Sequence, residues 1–369
     1  MATLFLIASL IVDTTKNQAA VDYDAGLRAA SHQQISLAIG HFQQAVQIDP
    51  NLPDAYFRLG LIFTNREQWR RAIQAFGKAI MVDPNYLEAR YRLGEAYLIG
   101  TAQVAEAAEQ LKLVIAADPN HIAARQLLGQ VHLRLHQPEL AVAVLEKAQA
   151  ADPTINYDLG LARYRTANLQ RAVDSFQQVV SVQPNHAQAH FHLAQCYRQL
   201  GQSQKSKQSL HTFEQLQQQA NQIANLRQYL AVDSSNARAW AQLGRIFLQQ
   251  KAWTDAISAF QNGVKHQPTE ASFYEQLGYA YMKNQDYPSA QLIFQELAQR
   301  YPKSVEYRNS LGIAMAMQNL LPEAISQFET ARQLDPTDPQ IHFNLYRLYQ
   351  KTGDHRRAQQ AFQRYQQFQ

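Results

Sequence analysis

The chain has a single cysteine, Cys196, among 369 residues. That excludes a disulfide framework and any cysteine-built metal site. Charge is sparse as well: Asp, Glu, Lys and Arg make up 17%, and 34 basic residues face 30 acidic ones for a net charge of +4. So even a balance excludes a nucleic-acid binder of this length. Long hydrophobic runs are missing too. The run Leu4–Val12 (LFLIASLIV) has nine residues, whereas a bilayer span needs about 20. No strand pattern is apparent, so no glycine-rich phosphate loop can follow one. What is plentiful is apolar content, 46%, which rules out wholesale disorder.

The scarce prolines and glycines are placed by a ruler. Pro50, Pro84, Pro119, Pro153, Pro184, Pro268, Pro302 and Pro336 are spaced by 34, 35, 34, 31, 84, 34 and 34 residues. Gly26, Gly60, Gly94, Gly129, Gly160, Gly244, Gly278 and Gly312 keep nearly the same beat. The gap of 84 hides one further period and 16 extra residues. Such periodicity is sought first because it decides the architecture. Within a period the apolar residues recur at helical spacing, as in Tyr56, Leu59, Phe63 and then Ile73, Phe76, Ile80. Two helices joined by a polar turn form an antiparallel pair. Proline inside a helix costs about 3 kcal/mol, so Asp-Pro at 49–50, 83–84, 118–119, 152–153 and 335–336 is expected to end each second helix. Small residues of the Gly60 and Ala72 type, one per helix, are expected to let the backbones approach.

This pattern resembles the tetratricopeptide repeat family. Its eight signature positions are matched by Tyr56, Leu59, Gly60, Phe63, Ala72, Phe76, Ala79 and Pro84. They are matched again by Trp240, Leu243, Gly244, Phe247, Ala256, Phe260, Gly263 and Pro268, and by Tyr274, Leu277, Gly278, Tyr281, Ala290, Phe294, Leu297 and Pro302. Ten copies start near residues 19, 53, 87, 122, 153, 187, 237, 271, 305 and 339, covering 19–369. The resemblance implies an all-α fold, a right-handed superhelical solenoid of antiparallel helix pairs, with the first helix of each pair lining a concave groove.

Stacked repeats share one core, so division is expected only where stacking is interrupted. Residues 19–218 hold repeats 1–6, residues 219–236 an inserted helical extension or hinge, and residues 237–369 repeats 7–10. No proline stops the sixth pair, and the stripe Leu210, Phe213, Leu216, Ile223, Leu226, Leu230 continues. It predicts one long or kinked helix over 203–231, about 43 Å if straight. The alternative is a degenerate repeat that fills space. Residues 1–18 stand apart. Their apolar run can be an export signal remnant, a helix covering the first repeat, or a membrane tether. The run's length leans towards export or a membrane-associated location, with a cytoplasmic one as the alternative. Membrane contact is expected only through this segment.

Chemistry-bearing constellations are few. His132 and His136, and His186, His190 and His192, have spacings a metal could use, but no cysteine or acidic ligand completes either set. No metal or cofactor is expected. Cys196 falls at a small, inward position and reads as an inert buried thiol. No Ser/His/Asp or paired-carboxylate grouping stands out, and the chain is not expected to be an enzyme.

The working surface implied by the resemblance is the groove. Its side chains are Tyr23, Phe57, Leu61, Tyr91, Glu95, Gln126, Arg134, Tyr157, Arg165, Phe191, Arg198, Arg238 and Arg245. Aromatic rings in a concave surface suit an apolar or helical peptide, and arginines suit carboxylates along it. Two specialisations of the family are absent. The lysine and asparagine of the chaperone-tail clamp are replaced by Phe57 with Leu61, Tyr91 with Glu95, and Phe191 with Gln195. The asparagine ladder of sugar-transferase relatives is replaced by Arg58, Arg92, Leu127, Asp158, His192 and Gln242, with only Asn344 fitting. The expected function is a non-catalytic interaction scaffold holding a protein or peptide. The alternatives are an accessory component of a cell-envelope assembly or export machine, and a substrate-recruiting partner of a separate enzyme.

Overall fold

The computed structural model describes residues 2–148 and 152–369, with side chains from residue 17 onward. Among them are twenty α-helices in ten successive pairs. The pairs are α1 (Ala2–Ser31) with α2 (Ile35–Ile48), α3 (Pro53–Asn65) with α4 (Trp69–Val82), and α5 (Leu87–Glu95) with α6 (Val104–Ala117). Next come α7 (Ile122–Arg134) with α8 (Pro138–Leu145), α9 (Pro153–Arg165) with α10 (Leu169–Val182), and α11 (Ala187–Gln199) with α12 (Ser203–Val232). The last four are α13 (Ala237–Gln249) with α14 (Trp253–His266), α15 (Ala271–Lys283) with α16 (Tyr287–Arg300), α17 (Val305–Met317) with α18 (Leu321–Leu334), and α19 (Pro339–Lys351) with α20 (His355–Phe368). The chain is an all-α repeat solenoid. It divides into two compact units, Met1–Phe213 and Glu214–Gln369. The readings of the run Leu4–Val12 fall on side chains outside the described residues. Among the described residues no helix is long and apolar enough to cross a membrane.

Six of the ten pairs are locked by one recurring glycine–phenylalanine contact; in the third and fourth a leucine takes the ring's place, Leu111 against Gly94 and Leu145 against Gly129, and in the tenth Tyr346 stands where the glycine would. A Cβ built on Gly60 would lie 2.4 Å from the ring of Phe76, and Gly26, Gly160, Gly244, Gly278 and Gly312 meet Phe42, Phe176, Phe260, Phe294 and Phe328 at 2.6–2.9 Å. The glycine therefore makes room for the facing ring, and a Cβ on Gly94 would also lie 3.5 Å from the main-chain oxygen of Ala107, the residue at the Ala72 position of its repeat. Phe76, Phe176 and Phe260 are completely buried, and each such ring stabilises by about 1.5–3 kcal/mol relative to exposure. In the sixth pair the glycine is Ala194 and the ring is Leu210, 39% exposed. The sixth pair, where the repeat is interrupted, lacks the glycine–ring lock.

A second ruler is conformational. The turn inside every pair carries one residue with positive φ: Gln33, Glu67, Ala102, His136, Ala167, Gly201, Lys251, Gln285, Asn319 and Gly353. A left-handed residue after the first helix frees the chain to reverse and form the second. Only two of the ten are glycine.

Departures from the 34-residue period are absorbed locally. The third repeat has one extra residue, and its first helix ends in a π-helical turn, Ala96–Thr101, the ordinary result of inserting one residue into an α-helix. The fourth repeat is short. There Asp152 and Pro153 do not end a second helix as expected. Asp152 caps α9 by accepting from the Thr154 N–H at 2.7 Å, and Pro153 is its first residue. With a 31-residue spacing, the proline that closes one repeat already opens the next. At 49–50, 83–84, 118–119 and 335–336 the aspartate does follow the helix end, and its carboxylate accepts the N–H two residues on at 2.9–3.0 Å. The sixteen extra residues lengthen α12 to 30 residues in one uninterrupted helix, against 14 in α4 or α10. Its last third packs Ile223, Leu226 and Leu230 on Leu243, Phe247 and Phe260 within the second unit.

Candidate functional site

All thirteen candidate residues lie on first helices of their pairs, α1 to α13. Their surroundings differ sharply. Phe57 is only 8% exposed and is clamped between Phe76 at 5.8 Å and Tyr86 at 5.0 Å. It is a packing residue, with little left to offer a partner. Tyr23, Leu61, Tyr91, Tyr157 and Phe191 are half-buried, as are Glu95 and Gln126.

The aromatic line is held by a device that the sequence reading missed. Tyr91 stacks on His121 at 5.1 Å and Tyr157 on His186 at 4.8 Å, both tilted by 36°. This matches Phe57 on Tyr86, tilted by 38°. Each partner directly precedes the next first helix. The Nδ1 atoms of His121 and His186 also accept the N–H of Ala124 and Ala189 at 3.1 Å, capping those helices. One ring thus ends a turn, starts a helix and braces the neighbouring aromatic. The only available signal was a histidine two residues after the proline of Asp-Pro or Gln-Pro.

The acidic side chains of the first repeats are already partnered. Asp54 accepts from the Tyr86 hydroxyl at 2.8 Å. Arg92 donates to Glu88 at 2.9 Å and to Glu95 at 3.0 Å. The arginines divide into two groups. Arg134 donates to the Leu98 carbonyl at 2.8 Å and Arg165 to the Leu133 carbonyl at 2.7 Å, each tying its helix to the preceding first helix. Arg198 donates to Gln195 on its own helix. Arg238 and Arg245, exposed on one face of α13, have no hydrogen bond or ion pair among the described residues.

Two ionisable groups, Asp158 buried and His192 half-buried, share the position that the asparagine ladder would use. Asp158 is 7% exposed and accepts from Gln130 Nε2 at 2.8 Å. Burial pushes its carboxyl up to about 6, partly opposed by that hydrogen bond. His192 stacks on Phe176 at 5.3 Å, and its Nδ1 has no hydrogen-bond partner in the protein. Burial, with Arg165 and His186 nearby, pulls it down to about 4.

The other histidines resolve into structural roles. His132 is buried in the core, its Nδ1 2.9 Å from Gln137 Oε1, and His136 occupies the left-handed turn of its pair. His190 Nε2 lies 2.8 Å from the Pro184 carbonyl. Among the described residues no three His, Cys, Asp or Glu side chains group as a metal would require. Cys196 is buried, and burial pushes its thiol up to about 11, which disfavours the reactive thiolate.

Comparison with known families places repeat models along the chain. Tetratricopeptide repeat models match residues 26–65, 60–99, 98–164 and 157–206. Residues 220–341 match the tetratricopeptide domain of cytochrome c-type biogenesis protein H. No curated protein sequence matches. Among solved structures, YrrB, described as a TPR protein with an unusual peptide-binding site, is similar at 22% identity and a TM-score of 0.44, over 48% of this chain and 92% of that one. MamA is similar at 20% identity and a TM-score of 0.42, over 45% and 92%. The C-terminal part of a repeat protein from Cytophaga hutchinsonii gives 16% identity and a TM-score of 0.47, over 69% and 99%.

Proposed function

Given that the chain is a tetratricopeptide repeat protein of about ten repeats, we propose that it is a non-catalytic scaffold that holds a peptide or protein surface on its first-helix faces. The observation that carries this reading is the line of braced aromatics. Tyr91 and Tyr157 are each fixed on one side by a helix-capping ring and stay half-exposed. Rigid, partly open tyrosines with arginines nearby are the composition that dominates binding energy at interfaces. Ordering them costs little on association, because the fold has already ordered them.

Affinity capture with the full chain tests the reading. Tyr91→Ala with Tyr157→Ala is expected to lose the captured partner while circular dichroism stays unchanged. Retention of the partner by that double variant would place the surface elsewhere.

A second reading is favoured by one observation, the match of residues 220–341 to a domain named for cytochrome c-type biogenesis. In it the scaffold serves as an accessory component of an assembly machine, recruiting a substrate for a separate catalytic polypeptide. Identification of the captured protein as such a polypeptide or its substrate separates this reading from a free-standing scaffold.

A further inference from the structure

The second unit contains a groove that its repeats alone would not build. The inserted part of α12 forms one wall and α13 the other of an open groove of about 890 Å³. Gln222, Asn225 and Tyr229 come from α12, facing Arg238, Gln242 and Arg245 on α13. Leu226 and Ile246 supply the apolar part of the lining. The same three α13 residues also line a smaller hollow of about 340 Å³ on their other side, towards Glu270 and Phe273. Arg238, Gln242 and Arg245 therefore form a ridge between two depressions.

The chemistry of the lining is one-sided. The larger groove is lined by two guanidinium groups and by no carboxylate. Arg238 and Arg245 stand seven residues apart, two helical turns or about 10.5 Å. Neither has a partner, unlike Arg134 and Arg165, whose guanidinium groups bond main-chain carbonyls. Gln222, Asn225 and Gln242 likewise have no hydrogen bond among the described residues. Primary amides match the donors and acceptors of a peptide main chain, and guanidinium forks match carboxylates.

We propose that this groove binds an acidic peptide segment of a partner protein, with two carboxylates about 10 Å apart placed on Arg238 and Arg245. The inference rests on the scaffold reading and names the partner chemistry for its second unit. Peptide is favoured over nucleic acid because the lining offers amides and one tyrosine, where single strands call for a basic track with several stacking rings.

The test uses the full chain and two labelled synthetic peptides, one helical with glutamates at i and i+7, one extended with glutamates at i and i+3. Each is paired with its glutamine counterpart and read by fluorescence anisotropy. At least one glutamate peptide is expected to bind, its glutamine counterpart to bind much more weakly, and affinity to fall as salt rises. Arg238→Ala and Arg245→Ala are each expected to weaken binding about tenfold, from the loss of a charge-assisted hydrogen bond. Both arginines are exposed and unpaired, so the variants keep their helicity. Binding that is equal for glutamate and glutamine peptides, or unchanged in the double arginine variant, overturns the proposal. So does equal binding of a labelled oligothymidylate. If the peptides fail while native capture is still lost on Tyr91→Ala with Tyr157→Ala, the scaffold reading stands and this inference falls.

Discussion

Gly100 lies against the indole of Trp69, so close that a Cβ there would come within 2.3 Å of Cγ. Gly100 belongs to the π-helical turn that takes up the one-residue insertion of the third repeat, and Trp69 opens the second helix of the repeat before. The bulge thus brings bare backbone against a neighbouring repeat. Gly100→Ala is expected to lower stability by about 1–3 kcal/mol, the usual cost of overpacking. A denaturant melt unchanged from wild type would show that the indole can move aside freely.

Burial separates two residues that look equivalent in the repeat. Phe57 and Tyr91 occupy the same position, yet Phe57 is buried and Tyr91 half-exposed. Phe57→Ala is expected to cost about 3–5 kcal/mol, as for a core phenylalanine. Tyr91→Ala is expected to cost clearly less in the same urea titration. Equal losses would contradict the assigned packing.

The left-handed turns supply a stabilising substitution. A non-glycine residue in that conformation carries about 1–2 kcal/mol of steric cost, and glycine gives back part of the gain through its looser unfolded chain. Lys251→Gly is therefore expected to raise the melting temperature slightly. Gly201→Ala, at φ +72°, is expected to lower it.

Asp158 and His192 pull stability in opposite directions over one pH range. The carboxyl of Asp158 is raised from its ordinary 3.8 to about 6, so its protonated form favours folding. Its contribution is full below 3.8 and is lost as pH rises through 6. A shift of that size corresponds to about 3 kcal/mol. His192 falls from 6.5 to about 4, so its neutral form favours folding, and that contribution is lost as pH drops from 6.5 to 4. Asp158→Asn is expected to leave a stability that declines towards acid. His192→Gln is expected to leave one that declines between pH 4 and 6 as pH rises. Denaturation midpoints measured across this range check both slopes.

The architecture was legible because its punctuation is chemical. Proline cannot sit inside a helix, and the glycine opposite Phe76 admits no Cβ, so both recur in sequence wherever they recur in space. The left-handed turns obey the same period but escaped notice, since Glu67, Ala102 and Lys251 carry no common chemistry. Asp152 misled for a related reason: the same two letters end a helix in one spacing and start one in another. In the site, membership of the first helices followed from register. What register could not reveal was prior engagement. Arg165 and Arg245 look alike in sequence, and only the Leu133 carbonyl at 2.7 Å tells them apart.

The recurring glycine-and-phenylalanine lock makes the helix pairs modular. Because socket and ring lie on the two helices of the same pair, a block of one period that keeps both helices carries its own lock with it. The third, fourth, sixth and tenth pairs, which lack the glycine, the ring or both, have no such interchangeable lock.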